Sequence, residues 1–264
     1  MFYKKIIALI LAGSFVFGQA FSVNAFASAT KSKKPALSPI IKEVALPAIL
    51  VGGSGIILLG LIINSQLEHS KQTDFDQWIN ILSGKNAGKS SHNGEKWCYT
   101  SADQFRKDSD ENLENYHNYI QVIFPNCDPG MANHDLIVND EFRKLWNEKV
   151  AKDPSLPTKV QQQMRLNFIR MLKFWGYKVD GDKNGIRSIT FDSAPEKAVA
   201  YKKKVDETDH NNLRITRVLI ALRLFGLNHE AQLFWNVLQQ SSNEYSKSFW
   251  LGAVATKIDP VIKP

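Results

Sequence analysis

The chain has 264 residues, 44% of them hydrophobic, which suits one domain with appendages or two small domains. Its formal net charge is +7, but part of the excess lies near the N-terminus, outside the segment expected to be globular, in Lys4, Lys5, Lys31, Lys33, Lys34 and Lys42. The charge therefore does not predict nucleic-acid binding. The two cysteines, Cys98 and Cys127, make neither a disulfide scaffold nor a zinc site by themselves.

The first 27 residues resemble a bacterial secretory signal peptide. A short basic start precedes the apolar run Ile6–Phe17, and Ala25-Phe-Ala27 and Ala27-Ser-Ala29 are candidate small-x-small cleavage sites. An uncleaved membrane helix is the alternative interpretation, but the apolar run is short for a full span. Residues 28–44 follow as a basic linker.

The segment Ala45–Ile63 predicts a transmembrane helix. It carries no charge across 19 residues, which at 1.5 Å per residue nearly matches a hydrocarbon core of about 30 Å. A buried soluble helix is the alternative, and the four glycines of the segment disfavour it. The expected location is a membrane, the bacterial inner membrane. The side of the membrane on which the soluble domain lies stays open. A cleaved signal followed by one span places the domain in the cytoplasm. The positive-inside rule indicates the opposite orientation, because the lysines precede the span.

The globular part is predicted to be an all-α, compact multi-helix domain over 74–256, with a tail at 257–264. Apolar residues recur at helical spacing, and Pro and Gly end the runs. The predicted helices cover Phe75–Leu82, Leu113–Ile123, Phe142–Val150, Val160–Trp175, a Lys-rich stretch from Ser193 to about Val205, His210–Phe225, Asn228–Leu238 and Glu244–Ala255. Residues 84–96 are predicted to be a loop. Only Tyr177–Phe191, around a turn, shows a short alternation typical of strands.

The helix that starts near His210 is the segment around which the domain is expected to be organised. Asn211 or Asn212 can accept hydrogen bonds from the free N–H groups of its first turn. An apolar stripe follows, formed by Leu213, Val218, Leu219, Leu222 and Phe225, and Gly226 is expected to end the helix in the left-handed conformation. Arg214 and Arg217 lie one turn apart on its polar edge. They are candidates for binding a carboxylate or phosphate, and the alternative is that they pair with neighbouring acidic residues and tie helices together.

Three sequence blocks resemble the conserved domain of the opioid growth factor receptor family. They are Asn115-Tyr-His-Asn-Tyr-Ile-Gln-Val-Ile-Phe-Pro125 with Asp128-Pro-Gly130, Met171-Leu-Lys-Phe-Trp-Gly-Tyr177, and His210-Asn-Asn-Leu-Arg-Ile-Thr-Arg217 with Leu224-Phe-Gly-Leu227. Their order and approximate spacing match the family over roughly Asp74 to Val254. Val122 and Asn126-Cys127 depart from the family pattern. The chain is thus identified as a membrane-anchored member of bacterial type, although vertebrate members are described as receptors for an enkephalin peptide associated with the nucleus.

The resemblance implies a receptor-like activity, so we expect a membrane-tethered helical binding module with an unidentified peptide or protein partner. The alternative is an unrecognised enzyme with a polar site around His210. The predicted ligand-binding residues are His210, Asn211, Asn212, Arg214, Arg217, His117 and Tyr119. We expect the two segments that carry them to frame a polar cleft for an anionic or peptide-carboxylate group.

Other chemistry is not expected: no catalytic residue, metal site, cofactor or nucleic-acid partner is predicted. Asp180-Gly-Asp-Lys-Asn-Gly185 resembles the start of a calcium loop, but Phe191 stands where a bidentate Glu is needed. The helix after Gly226 lacks the basic residues of a DNA-recognition helix. The histidines His117, His134 and His210, together with Asp135 or Asp209, could in principle make a metal or acid–base site, but they show no metal-binding spacing. Neither cysteine has a catalytic signature.

Overall fold

The computed structural model describes residues 75–86, 91–92, 95–96, 101–117, 119–128, 137–207, 209–241 and 243–263. All the described residues except Glu95 belong to one compact unit, made of Lys71–His92 and Lys96–Pro264. The α-helices of the described residues are α1 (75–82), α2 (Ala102–Lys107), α3 (Asp110–Asn115), α4 (Tyr119–Ile123), α5 (Asp140–Lys152), α6 (Leu156–Phe174), α7 (Pro195–Tyr201), α8 (Asn211–Leu224), α9 (Asn228–Leu238) and α10 (Glu244–Ala255). A π-helical turn, Lys202–Asp206, continues α7.

The strands are β1 (Ser91–His92), β2 (Glu95–Lys96), β3 (Tyr177–Asp182) and β4 (Gly185–Phe191). The last two form an antiparallel hairpin whose register runs from Tyr177 opposite Phe191 to Asp182 opposite Gly185, with an irregularity at Asp180/Gly181. The buried and exposed positions of β3 alternate, as expected for a strand with one face on the core. The hairpin packs against α6 and α9.

Helix α6 runs through the core and ends where the hairpin starts. Pro157 lies in its first turn, where a missing N–H costs nothing, so this proline opens the helix rather than breaking the chain between two helices. Its inward side chains are fully or almost fully buried, among them Val160, Met164 and Phe168. The helix stops at Gly176, which adopts φ of 89°.

Helix α8 is buried on nearly every side, because α9, α10 and the π-helical turn all pack against it. The sequence predicted an apolar stripe that includes Leu213 and a polar edge that carries Arg214, but Leu213 is 72% exposed whereas Arg214 is 4% exposed. The polar edge therefore faces inward at the N-terminal end of the helix. The predicted stop is present: Gly226 has φ of 76°, and the Leu227 N–H donates to the Leu222 carbonyl over 2.8 Å.

The predicted helix Leu113–Ile123 is two helices, α3 and α4, separated by an extended segment. Tyr116 leaves helical geometry with φ of −93° and ψ of 133°. A continuous helix would have used the last carbonyl groups of α3 in its own hydrogen bonds. The break leaves these groups available to partners from α8. The break thus decides where the polar residues of 114–117 lie.

The prediction of an all-α fold with a transmembrane helix is wrong. The hairpin β3–β4 adds a two-stranded sheet, and 84–96, predicted to be a loop, contains β1 and β2. No helix within the described ranges is long and apolar enough to cross a membrane. The predicted signal peptide 1–27, basic linker 28–44 and transmembrane segment Ala45–Ile63 lie outside the described residues. The hairpin coincides with the alternation noted at Tyr177–Phe191, which did not alter the predicted fold class because it is brief and is interrupted at Gly181.

Candidate functional site

A polar cluster forms where the N-terminal end of α8 meets the end of α3. We define it by Glu114, His117, Lys204, Asp209, His210, Asn211 and Arg214. The His117 and His210 rings lie edge to face, with their centroids 5.0 Å apart. Two segments almost a hundred residues apart in sequence therefore meet at this point.

Arg214 holds the two segments together. Its Nη2 group donates to the carbonyl oxygens of Tyr116 over 3.0 Å and Glu114 over 3.3 Å, and it lies 2.9 Å from His117 Nδ1. Because guanidinium only donates, His117 Nδ1 must be the acceptor, which places the proton of neutral His117 on Nε2. Arg214 Nη1 donates to the Asn211 side-chain oxygen over 3.1 Å. The arginine thus satisfies carbonyl groups that the break after α3 leaves without helical partners.

Two carboxylates lie on either side of the His210 ring. His210 Nε2 lies 3.2 Å from Glu114 Oε1, and His210 Nδ1 lies 2.9 Å from Asp209 Oδ1. Asp209 Oδ1 also accepts from the Asn211 backbone N–H over 2.7 Å and from the Asn211 amide over 3.0 Å. Among the described residues, its other oxygen, Oδ2, has no partner. One oxygen or ring nitrogen from each of Glu114, Asp209 and His210 lies within 4.8 Å of the others.

Burial and neighbouring charges shift the pKa of two basic groups in the cluster, His117 and Lys204. Burial lowers the pKa of His117, the positive charges of Arg214 and His210 lower it further, and Glu114 and Asp209 oppose the shift. Burial also lowers the pKa of Lys204, against the pull of Glu114, whose Oε2 lies 3.7 Å from Lys204 Nζ. The Lys204 ammonium lies over the Phe174 ring, 3.4 Å from its centroid, and this contact favours the charged form.

The structure brings together four of the predicted ligand-binding residues: His117, His210, Asn211 and Arg214. Tyr119 lies on the protein-interior side of Arg214 and is almost fully buried, with its ring centroid 5.4 Å from the Arg214 guanidinium carbon. Asn212 lies outside the cluster: its side-chain amide donates to the Glu207 carbonyl over 3.0 Å.

Arg217 also lies outside the cluster. Its Nε donates to the Phe124 carbonyl over 3.0 Å, and its Nη groups lie 3.3 and 3.4 Å from the Asp128 carbonyl. The residue is 9% exposed, and burial lowers its pKa to about 10, so it remains charged at neutral pH. Its role in the structure is to fix the chain that follows α4.

Sequence reasoning missed Glu114 and Lys204. Nothing in the local pattern distinguishes them from the other acidic and basic residues of 108–115 and 196–207. The position of Asp209 directly before His210 was a sequence indication that it could belong to the same site. Of the other residues weighed for a metal site, His134 and Asp135 lie outside the described residues.

The solvent-facing side of the cluster is acidic and aromatic. The His210 side chain is 41% exposed, and those of Glu114 and Asp209 are 23% and 18% exposed. Tyr116 is exposed beside them, whereas Arg214 is covered by its own carbonyl partners. A ligand approaching from solvent therefore meets carboxylates and imidazoles before it meets a guanidinium.

The calcium-like sequence forms the turn of the β3–β4 hairpin. Asp180 is paired with Arg187, and Asp182 accepts from the Asn184 N–H over 2.8 Å. These contacts lower the pKa of both carboxyl groups, chiefly through the hydrogen bonds named. The acidic side chains are thus used to stabilise the turn, as short polar residues often are.

The comparisons with known proteins point to one family. The profile described as "Opioid growth factor receptor (OGFr) conserved region" matches residues 78–244, which include the whole polar cluster. The opioid growth factor receptor of Homo sapiens is 31% identical over 120 residues, covering 44% of this chain and 15% of that protein. The receptors of Rattus norvegicus and Mus musculus are each 30% identical over 123 residues, covering 47% of this chain and 19% and 17% of their own lengths.

The chain therefore matches less than one fifth of the length of these curated relatives. No solved structure matches it. Since the family profile spans well over half of the chain, and three receptors of that name align with it, the protein belongs to the opioid growth factor receptor conserved-region family.

Proposed function

We propose that the protein is a binding module for a peptide or protein ligand, and that the polar cluster is its contact site. The relatives are named receptors for an opioid growth factor. The observation that carries the proposal is the pair of carboxylates, Glu114 and Asp209, held beside two histidines at the surface of the matched region. Polar groups that converge in this way at a surface are typical of recognition sites.

The arrangement favours a cationic ligand group over the anionic group expected from the sequence. The guanidinium donors of Arg214 already bind Asn211, His117 and two carbonyl groups, so few remain for hydrogen bonds to an anion. Glu114 and Asp209 would repel a second carboxylate. An ammonium group can instead donate to Asp209 Oδ2 and Glu114, and such charge-assisted hydrogen bonds are the stronger ones. We infer that the N-terminal ammonium or a lysine of the ligand binds here.

The test uses the full chain and an enkephalin peptide as the probe, with the same peptide acetylated at its N-terminus as the neutral control. Isothermal titration calorimetry should show saturable binding of the free peptide and at least about tenfold weaker binding of the acetylated one. Glu114→Gln and Asp209→Asn should each weaken binding of the free peptide by about tenfold. Glu244→Gln, a change at an exposed carboxylate on α10, is the matched control and should leave affinity unchanged.

Equal binding of the free and acetylated peptides would exclude recognition of the ammonium group. If neither peptide binds, a panel of lysine-containing and lysine-acetylated peptides takes their place, with the same carboxylate variants. Binding that is insensitive to both Glu114→Gln and Asp209→Asn would remove the polar cluster as the contact site.

A divalent metal ion at Glu114, Asp209 and His210 is the second candidate, and it would support hydrolytic chemistry. The observation that favours it is the proximity of three ligand atoms of types that zinc accepts. His117 cannot be a fourth ligand in this geometry, because its Nδ1 accepts from Arg214 and its Nε2 then carries a proton. Three protein ligands would leave an open coordination position, as in catalytic zinc sites.

Zinc titration of the full chain separates the two functions. A metal site predicts a rise in melting temperature with zinc over chelator that His210→Ala abolishes and His229→Ala, a change on α9, does not. An unchanged melting temperature would exclude the metal site and leave the ligand-binding function.

A further inference from the structure

A second site candidate lies at the opposite end of the β3–β4 hairpin from its turn. It is a cavity of about 310 Å³ lined by Tyr177, Phe191, Tyr201, Val237 and Gln240, which we call the hairpin cavity. Its walls come from both strands of the hairpin and from α7 and α9. It shares no residue with the polar cluster, and its volume suits a small organic group.

Three aromatic rings line this cavity, and the Tyr201 ring is nearly perpendicular to the other two. The Tyr177 and Tyr201 ring centroids are 5.6 Å apart with an interplanar angle of 90°. Those of Phe191 and Tyr201 are 5.0 Å apart with an angle of 81°. Phe191 is 46% exposed, although it is a large apolar side chain, so one wall of the cavity opens to solvent. The faces of such rings carry partial negative charge and attract cations.

A carboxylate lies next to two of the rings. The Asp206 carboxylate accepts from the Ser241 hydroxyl at its Oδ1 over 2.8 Å, and its charge acts on Tyr177 and Tyr201. Burial raises the pKa of both tyrosines, and the negative charge of Asp206 raises each of them further. Asp206 therefore adds negative potential to that of the ring faces.

The Tyr177 hydroxyl supplies an independent indication of a ligand. The residue is 2% exposed, and the hydroxyl has no hydrogen-bond partner among the described residues. Buried hydroxyl groups are almost always paired, because leaving one unpaired costs free energy. A ligand with a polar group beside its cationic centre would satisfy this hydroxyl.

We propose that the hairpin cavity binds an organic ammonium group, such as a quaternary or methylated ammonium, against the aromatic wall formed by Tyr177, Phe191 and Tyr201. Ring faces bind such cations without the hydrogen bonds that a primary ammonium needs. The Asp206 carboxylate balances the charge, and the open side at Phe191 is the entrance.

The test compares choline with 3,3-dimethylbutan-1-ol, which has the same shape and hydroxyl group but no charge. Titrations of the full chain, followed by NMR chemical shifts of the aromatic resonances, should show saturable millimolar binding of choline and about tenfold weaker binding of the neutral alcohol. Equal affinity for the two compounds would show a merely apolar cavity and overturn the proposal. So would the absence of saturable choline binding.

Variants locate the binding. Phe191→Ala should weaken choline binding by about tenfold, and Asp206→Asn should weaken binding of choline but not of the neutral alcohol. Phe249→Ala is the matched control, since Phe249 is 52% exposed and lies beside Tyr245 on α10. If Phe249→Ala weakens choline binding as much as Phe191→Ala does, the hairpin cavity is not the site. Thermal melts check that each variant is folded, and the comparison of the two compounds on the unaltered chain does not depend on any variant.

Discussion

Two buried arginines, Arg214 and Arg217, brace the backbone through its carbonyl groups. Arg214 and Arg217 both donate to carbonyl groups of the chain between α3 and the residues after α4, and both are buried. Each thus replaces hydrogen bonds that a continuous helix would have made for itself. Buried charge of this kind is tolerated because several donors are used at once.

Arg217→Ala should destabilise the fold by about 2–4 kcal/mol, because the buried carbonyl of Phe124 and the partly buried contact to the Asp128 carbonyl lose their donor. Urea unfolding followed by circular dichroism measures the loss. Arg187→Ala is the control: Arg187 is 73% exposed and pairs with Asp180 on the hairpin surface, so no measurable loss is expected. A near-native unfolding curve for Arg217→Ala would contradict the bracing role and restore the residue as a binding candidate.

The stability of the fold should fall in mild acid through His117. Its pKa in the folded chain lies below the ordinary value of 6.5, mainly because of burial and then Arg214. As pH drops through 6.5, the unfolded chain therefore takes up a proton that the folded chain does not, and stability falls until the pH passes the folded-state pKa. His117→Gln keeps an acceptor for Arg214 without titrating.

The measurement is the difference in unfolding free energy between pH 7.5 and pH 5.5. His117→Gln should lose less stability than the unaltered chain over this window, while His229→Gln, a change on α9, should behave like the unaltered chain. An identical loss in His117→Gln and the unaltered chain would remove His117 as a source of the acid sensitivity.

At the scale of elements, the junction between α6 and the hairpin depends on one glycine. Gly176 has φ of 89°, and a Cβ there would contact the Lys197 carbonyl oxygen and lie 2.9 Å from the Tyr201 nitrogen. Both neighbours are backbone atoms of α7, which cannot move aside without shifting the helix. The close approach of α7 to this turn also builds one wall of the hairpin cavity.

Gly176→Ala should therefore destabilise the fold by about 2–4 kcal/mol, from the left-handed φ and the backbone clash together. Gly252→Ala is the matched control, because Gly252 lies within α10 and a Cβ there meets nothing within 4 Å. That control should stabilise the fold by about 0.5–1 kcal/mol, since alanine is the better helix former. Thermal denaturation of the two variants side by side measures these changes. Equal effects on stability would contradict the requirement for glycine at position 176.

The hairpin turn should not respond to calcium. Asp180 is engaged with Arg187, and Phe191 supplies no carboxylate at the far end of the candidate loop. The melting temperature should be the same in excess calcium and in chelator. A rise of several degrees with calcium would show that the turn rearranges into a metal loop.

For the molecule as a whole, residues 257–263 close the domain rather than extend from it. The Val261 N–H donates to the Leu224 carbonyl over 2.6 Å, and Arg143 of α5 donates to the Asp259 carbonyl over 2.7 Å. Ile262 is 7% exposed, and its carbonyl oxygen lies against Gly226. The segment predicted as a tail thus covers the C-terminal end of α8.

Ile262→Ala should cost about 2 kcal/mol or more of unfolding free energy, because it empties a buried site at that end of α8. Leu251→Ala, at a leucine that is 50% exposed on α10, should change stability by less than about 0.5 kcal/mol. Both are read from denaturant unfolding. Equal and small effects would mean that the last residues are dispensable for the fold.

The sequence alone determined most of the helices, the family and one segment of the candidate site. Periodicity identified α5, α6, α8, α9 and α10, because each buries a stripe wide enough to be read at 3.6-residue spacing. It also identified Gly226 as the stop of α8, since the backbone geometry needed there is a local property of glycine. The family followed from three blocks that lie within or overlap the matched region 78–244.

Only the tertiary structure decided which polar residues meet. Glu114, Lys204 and His210 come from three separate segments, and no spacing along the chain encodes their contacts. The same holds for the inward orientation of Arg214. A charged residue on a helix is expected to face solvent unless carbonyl groups from elsewhere in the chain accept its hydrogen bonds. Those carbonyl groups are available to Arg214 only because α3 ends at Asn115. Helical periodicity is a local signal, whereas the pairing of buried charge is set by the packing of the whole domain.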